Sequence, residues 1–542
     1  MIDYTAPLDD IRFVLDHAAD ASRLPGWDKE FAHEVLGHAG RFISEVIAPL
    51  DPIGDAEGCA LVEGRVRMPQ AFRDAYAQFR DGGWPGLAVP EAFGGQGLPH
   101  LLCASMGEMI AGACISFQMV VSLAQSAIRT LQHNGTDAQK TRYIPLLASG
   151  EWLASMCLTE PQAGSDLSQI ATTAVQDGDG WRITGGKIFI SGGDQDMTGK
   201  VLHLVLARTG DPSLGLKGLS LFLCPSELEN GGPNGVSILR LEEKMGMHAS
   251  PTCQMAFDGA RAEIIGAPGE GLMRMFTMMN LQRLEVSLEA TGLTEVALQR
   301  SLAYARDRRQ GKRLPINRHA DVRRMLMTQM ALALGLRAMT YRALVEVEVN
   351  PGSPLADFLT PVCKAFSTES AMTAAQAAIQ IHGGYGYLTE YRVEQILRDG
   401  RITLIYEGTN GIQALTLAGR LLRLHDGQAA EAFAADVAQA AHLADDTGLM
   451  AALEAWRRAT EAVRTSPAAE SVADTYMRLT GLVAFGAAWA RMAAAADHAP
   501  TPDRIRALAG FVQAAMLPQA EALARQCEKG PDFSQVDEAL FA

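Results

Sequence analysis

Trp181-Arg182-Ile183-Thr184-Gly185-Gly186-Lys187-Ile188-Phe189-Ile190-Ser191 is the stretch on which the fold turns. β-Branched and aromatic residues fill both halves, so the spacing predicts two strands split by a Gly-Gly turn. Similar runs follow at His203-Leu204-Val205-Leu206-Ala207, Leu219-Ser220-Leu221-Phe222-Leu223 and Cys253-Gln254-Met255-Ala256-Phe257-Asp258. Short strands at short spacing predict an antiparallel sandwich or barrel rather than βαβ units. Residues 156–266 therefore read as a β domain set between helical blocks.

Upstream, Ile11, Val14 and Leu15 recur at helical spacing, as do Phe42, Val46, Ile47 and Leu50. Glycines and prolines punctuate 82–87 and 93–99 as loops, and a long helix-compatible run extends from about Leu101 to His133. Downstream of Gly271 helices return, with Leu281, Leu284 and Leu288 on one apolar face and Leu332, Leu336 and Met339 on another. The methionines of 273–279 and 325–330 read as core filler. Beyond about His425 the chain is alanine-rich, with about four helical patterns broken near Thr447, Ser466 and Pro500. The expected class is α+β, mainly α. Its expected domains are 1–155 (helical), 156–266 (β), 267–425 (helical) and 426–542 (an additional helical domain, for packing or oligomer contacts).

The chain has 542 residues, too many for one ordinary core. Lys+Arg 47 against Asp+Glu 62 gives a net charge of −15, which argues against nucleic acid as a general partner. Met1-Ile2-Asp3-Tyr4 lacks a charged-then-apolar signal pattern, and no long uncharged apolar run reads as a membrane span. The eight cysteines form no CxxC pair and show no zinc-ligand spacing with the twelve histidines. They read as reduced, mostly buried residues of a cytoplasmic protein, and no metal site is expected.

Two polar segments carry the chemistry. Met156-Cys157-Leu158-Thr159-Glu160-Pro161-Gln162-Ala163-Gly164-Ser165-Asp166 leads into the β domain with hydroxyls, small residues and free amides. It suits either a flavin with its diphosphate or a polar capped loop. Leu404-Ile405-Tyr406-Glu407-Gly408-Thr409-Asn410-Gly411-Ile412-Gln413 places one carboxylate between an aromatic ring and a glycine. That setting suits a buried general base, or else a solvated glutamate in a turn.

The first segment resembles, almost letter for letter, the flavin-binding signature of the acyl-CoA dehydrogenase family. Phe189-Ile190-Ser191 resembles its second flavin segment, although many members have Trp and Thr in place of Phe and Ser. Gln380-Ile381-His382-Gly383-Gly384-Tyr385-Gly386-Tyr387 and the Glu407 segment resemble the remaining signatures, in family order. The leader Tyr4–Leu15, the run Lys244–Thr252 and His319–Leu326 are similar to a longer bacterial subgroup that includes 3-(methylthio)propanoyl-CoA dehydrogenases.

The resemblance implies an N-terminal helical domain, a central antiparallel β domain and a C-terminal four-helix domain, with FAD between them. It places Thr159 and Ser191 near the isoalloxazine, Met156 and Phe189 beside it, and Ser165 near the FAD diphosphate or the acyl-CoA. Arg308, Gln380 and Gly384 are implied at the adenosine end of FAD bound by a neighbouring subunit, hence a homodimer or homotetramer. Thr409 and Gln413 complete the flavin site. The family usually has Phe-Gly shortly after the arginine, whereas this chain has Arg308-Arg309-Gln310-Gly311, and the run 306–313 also reads as a solvated basic helix end. Met156 likewise stands where an aromatic is frequent.

By the same resemblance Glu407 takes the α-proton of an acyl-CoA, either 3-(methylthio)propanoyl-CoA or a fatty acyl-CoA, the Gly408 N–H bonds the thioester oxygen, and hydride passes from Cβ to the flavin, leaving a trans-2-enoyl-CoA. Some members carry the base just before an arginine on another helix. The matching pair here is Gln282-Arg283, and glutamine is no base, which selects Glu407 and leaves Arg283 to support the acyl-CoA site or to sit as a surface charge. An electron-transfer flavoprotein is the implied electron acceptor. The alternatives are an acyl-CoA oxidase, reoxidised by oxygen, and a non-catalytic flavin-bearing binding protein.

Overall fold

A computed structural model describes residues 4–311 and 313–541, the side chains of 276–278 and 425 excepted. The chain divides into two compact units: residues 42–282, and residues 1–41 with 283–542.

The 42–282 unit is built around helix α1 (His100–Asn134) and a seven-stranded sheet. α1 is long and apolar enough to cross a membrane by composition, but 89% of its most apolar window is buried inside the fold. It is a core helix. The strands are β1 (Trp152–Cys157), β2 (Thr173–Asp177), β3 (Gly180–Ser191), β4 (Lys200–Arg208), β5 (Leu219–Pro225), β6 (Val236–Leu241) and β7 (Thr252–Ile265). β4 pairs with β2 and β5, β3 with β2 and β7, and β7 with β5, so five strands close on themselves. Burial follows sequence: β4 is buried from Val201 to Arg208, as a strand covered on both faces must be, whereas β7 alternates over much of its length.

Two expectations need correction here. The sheet is not wholly antiparallel: β1 runs parallel to β4, with Trp152 opposite Lys200 and Cys157 opposite Val205. Nor do Gly185 and Gly186 make a turn. β3 runs straight through them, and the hairpin turn lies earlier, where Asp177 faces Gly180. The Gly185 backbone has φ +150°, and a Cβ there would stand 2.5 Å from Thr172 Oγ1 and 2.7 Å from Thr172 Cα. Glycine serves close approach beside a register shift at this point, a second use that the dipeptide alone does not distinguish from a turn.

In the other unit, α2 (Gly271–Asp307, counted from its 283 end), α3 (Ala320–Val349) and α4 (Pro354–His382) are long core helices, followed by the short α5 (Asn410–Thr416). Leu332, Leu336 and Met339 are buried as the pattern predicts. Met273 is not core filler, being 57% exposed, whereas Met275 and Met325 are buried; Met278 lies outside the described side chains. The basic run does not end as a free helix terminus either. α2 stops at Asp307, and Arg309–Gln310 then pairs with Leu314–Pro315, while Lys312 and the leader's Met1–Asp3 lie outside the described residues.

The alanine-rich tail folds as helices Gln428–Leu443, Thr447–Thr465, α6 (Ala473–Ala494), Pro502–Phe511 and Gln519–Lys529. α6 packs into α3 and α4 through glycine notches. A Cβ at Gly335 would meet Phe485 at 2.2 Å, one at Gly481 would meet Phe366 at 2.5 Å, and Trp489 Nε1 donates to Ala331 O at 3.1 Å. Gly335→Val is expected to lower unfolding stability by about 1–3 kcal/mol through overpacking. Chemical denaturation checks this, and an unchanged midpoint would show that the notch is not needed.

Candidate functional site

Glu407 stands on a short turn between the 3-10 turn Arg401–Leu404 and α5. Thr409 caps α5, its Oγ1 accepting from Ile412 N–H at 3.2 Å. The two residues before the cap are both left-handed, Glu407 at φ +53° and Gly408 at φ +83°. A Cβ at Gly408 would lie 2.6 Å from Gln413 Nε2, so a side chain there would displace that amide. Glu407 lacks glycine's freedom, so its backbone conformation carries strain that the surroundings must hold in place.

What holds it is a set of donors on the two carbonyls. Gln413 Nε2 donates to Glu407 O at 3.1 Å and Gly408 O at 3.3 Å. Lys364 Nζ, from α4, donates to Gly408 O at 3.0 Å and to Asn410 Oδ1 at 2.8 Å. Arg283 Nε, from α2, reaches Glu407 O at 3.5 Å. The backbone hydrogen bonds around the turn include Ile405 and Tyr406 N–H to Ile402 O, and among the described residues none runs from the N–H of Glu407 or Gly408.

The carboxylate itself is shut off from solvent at Oε2, with no hydrogen-bond partner there. Burial pushes its pKa up to about 7, against the pull of the Arg283 and Lys364 cations. A carboxylate poised near neutrality is suited to general-base work. Burial likewise lowers Lys364 to about 7, with Glu407 the strongest opposing influence. The adjoining Tyr406 hydroxyl donates to the Glu289 carboxylate, and burial first, then Glu289, drives the phenol's pKa up.

Gln282, by contrast, lies in the 42–282 unit and donates to Ser126 Oγ at 2.5 Å. It is a buried structural amide. Arg283, one residue on, is brought to the Glu407 carbonyl rather than left on a surface.

A second cluster in the 283–542 part follows the end of α4, where Gly383 takes φ +61°. A cleft of about 490 Å³ is lined by Tyr304, Arg308, Ile381, His382, Gly383 and Gly384 among others. The Arg308 guanidinium lies 5.2 Å above the Tyr385 ring, and Tyr304 stacks on His382 at 4.1 Å. Arg308 and Gly384 thus meet, while Gln380 is exposed on α4 and outside that lining.

In the 42–282 unit the two flavin-like segments lie side by side. Ile188 N–H donates to Thr159 O at 2.9 Å, and Lys187 Nζ donates to Leu158 O and Glu160 Oε1, each at 2.8 Å. Glu160 also accepts from Ala171 and Thr172 N–H; burial opposes its ionisation, but these donors hold its pKa below the usual carboxylate range. Met156 lies half-buried near the end of β1, Thr159 and Ser191 are half-buried, and Ser165 is exposed. Within this unit the hydroxyls of Thr159, Ser165 and Ser191 make no hydrogen bond to described residues. Phe189 is held at φ +59° in a break of register between β3 and β7, and the residue is 61% exposed. An aromatic ring kept out of the core beside free hydroxyls fits a planar polar cofactor. In the 283–542 part Gln413 Oε1 is buried and has no hydrogen-bond partner.

Lys364 and the Lys187–Glu160 pair escaped the sequence reading. A signal for the first existed: Lys364 is a lone cation in the apolar run Leu359–Phe366 of α4, and such a lysine is seldom buried without a partner.

Family models match three consecutive parts of the chain: Acyl-CoA dehydrogenase, N-terminal domain, over residues 33–151; middle domain, over 155–260; and C-terminal domain, over 269–422. The chain is 40% identical over 464 residues to 3-methylmercaptopropionyl-CoA dehydrogenase of Ruegeria pomeroyi, covering 80% of this chain and 79% of that one. Among solved structures, one described as an electron transferring flavoprotein of Acidaminococcus fermentans aligns with TM-score 0.65 and 29% identity, over 74% of this chain and all of that one. Caenorhabditis elegans ACDH-11 in complex with C11-CoA aligns with TM-score 0.80 over 94% of this chain and 91% of that one, and at 20% identity it speaks for the fold alone.

Proposed function

The chain belongs to the acyl-CoA dehydrogenase family, and on that footing we propose that it converts an acyl-CoA to the trans-2-enoyl-CoA with Glu407 as the base. The observation that carries this reading is the Glu407 turn: a carboxylate pushed to about 7, with an unpartnered oxygen, beside two uncommitted backbone N–H groups.

The cofactor is FAD. Thr159, Ser165, Ser191, Met156 and Phe189, with Thr409 and Gln413, are the residues assigned to hold it. When bound it supplies the acceptor for the β-hydride. Glu407 takes the α-proton, and negative charge builds on the thioester oxygen. The Gly408 N–H is assigned to meet that charge. Its peptide group is already polarised, because Gln413 and Arg283 donate to the Glu407 carbonyl of the same peptide. A donor on the carbonyl strengthens the N–H on the other side.

The substrate we assign is a short acyl-CoA, 3-(methylthio)propanoyl-CoA included, on the strength of the Ruegeria relative. An electron-transfer flavoprotein in the cytoplasm receives the electrons. The protein works as a homodimer or homotetramer, in which the Arg308 cleft takes the adenosine end of a neighbour's FAD.

Anaerobic titration of the purified yellow protein with acyl-CoAs, from propanoyl and 3-(methylthio)propanoyl to palmitoyl, tests this. Bleaching of the flavin band by the short thioesters is expected. A flavin that no thioester bleaches would favour a non-catalytic binding protein, and peroxide formed in air at the rate of turnover would mark an oxidase.

A further inference from the structure

The ammonium of Lys364 has a place in this site that the reaction, as described so far, does not use. It is 0% exposed in the middle of α4, where an unpaired lysine would be costly. Its partners are not acids. They are the carbonyl of Gly408 at 3.0 Å and the amide oxygen of Asn410 at 2.8 Å, the residues that follow the base. Asn410 is fixed in turn: its Nδ2 donates to Thr368 Oγ1 at 3.0 Å and to Glu369 Oε1 at 3.1 Å, both on α4. The result is a strut from α4 to the strained turn, ending in a positive charge.

We propose that Lys364 is a positioning residue of the reaction, fixing the Glu407–Gly408 turn through the Gly408 carbonyl and setting, as a facing cation, the pH at which Glu407 can accept a proton. This rests on Glu407 being the base. The charged and titratable groups around the pair are Arg283 and Glu289 on α2, Glu369 on α4 and Tyr406 on the turn itself, with Arg420 acting on Arg283. Arg283 stays charged throughout the working range, so it contributes a constant field. Lys364 is the cation whose loss leaves Glu407 more reluctant to ionise.

The sign follows from the charge. Removing a cation that favours the carboxylate raises the pKa of Glu407, and the acid limb of kcat/KM must move to higher pH. Lys364→Gln keeps an amide donor on α4 and removes the charge, so the limb is expected to rise by about one pH unit. Lys364→Arg keeps the charge and should leave the limb near the parent's position. Glu369→Gln is a change at an exposed residue; it removes an anion that supports the Lys364 charge, so Lys364 gives up its proton more readily and the limb should move slightly in the same direction as in Lys364→Gln.

The experiment is a pH profile of kcat/KM on FAD-loaded enzyme for the parent and these three variants, with Glu407→Gln beside them. An upward shift of the limb in Lys364→Gln, with a smaller upward shift in Glu369→Gln and none in Lys364→Arg, supports the proposal. Loss of activity at all pH values with an unmoved limb, or no shift in Glu369→Gln where Lys364→Gln does not fold, overturns it. Failure of the base assignment would look different, because Glu407→Gln would then turn over like the parent.

Discussion

Glu407→Gln is expected to retain fold, FAD and acyl-CoA binding while losing turnover by about 10⁴-fold, the upper range for a general base. The substitution is isosteric, and the contacts that fix the turn reach backbone carbonyls rather than the carboxylate: Gln413 and Arg283 to residue 407, Lys364 and Gln413 to residue 408. Removing the charge also relieves its burial, so stability should not fall. An amide accepts no proton in the working range, and only the chemical step should suffer. Steady-state assays with an artificial electron acceptor measure the effect, and parent-like turnover would remove Glu407 from the mechanism.

Lys187→Met is expected to cost about 3–5 kcal/mol of stability, the loss typical when one partner of a buried ion pair is removed. Lys187 is 0% and Glu160 3% exposed at the side chain, and the Nζ–Oε1 distance is 2.8 Å. Methionine fills the space but leaves the Glu160 carboxylate to the Ala171 and Thr172 amides and the Gln162 side chain, all neutral donors. The pair also joins the two segments assigned to flavin, so the variant should lose FAD alongside stability. Because the pKa of Glu160 is held below its unfolded value, the contribution is full at neutral pH and fades as pH falls through the folded pKa. Denaturant unfolding at neutral and acid pH checks both statements. An unchanged midpoint with FAD retained would contradict them.

Local pattern made much of the architecture legible. Apolar runs located β4 and β5 because those strands are buried for most of their length, β7 showed through its strand-like run Cys253–Asp258, and α1 was visible as an uninterrupted run from about Leu101 to His133. Partnership was harder to read. Gly185-Gly186 has the composition of a turn, and only the approach of Thr172 shows that it is a break within one strand. The parallel pairing of β1 with β4 depends on which strand lies beside it, a relation no local period encodes.

The site divides in the same way. Glu407 stood out because its neighbours, Tyr406 and Gly408, are unusual company for a carboxylate. Lys364 lies 43 positions earlier, and only the packing of α4 beneath the turn brings it there. Met273 was misassigned because methionine is apolar by composition, whereas its exposure is set by what packs on that turn of α2.

The central claim is that Glu407 removes the α-proton, and the most direct test isolates that step from hydride transfer. An acyl-CoA with sulfur at the β-position has no β-hydride to give, so its α-protons can exchange with solvent without reduction of the flavin. The account predicts that the FAD-loaded protein in D₂O exchanges these protons rapidly, as read by mass, and that Glu407→Gln does so no faster than solution. Exchange at equal rates in the two proteins would contradict it.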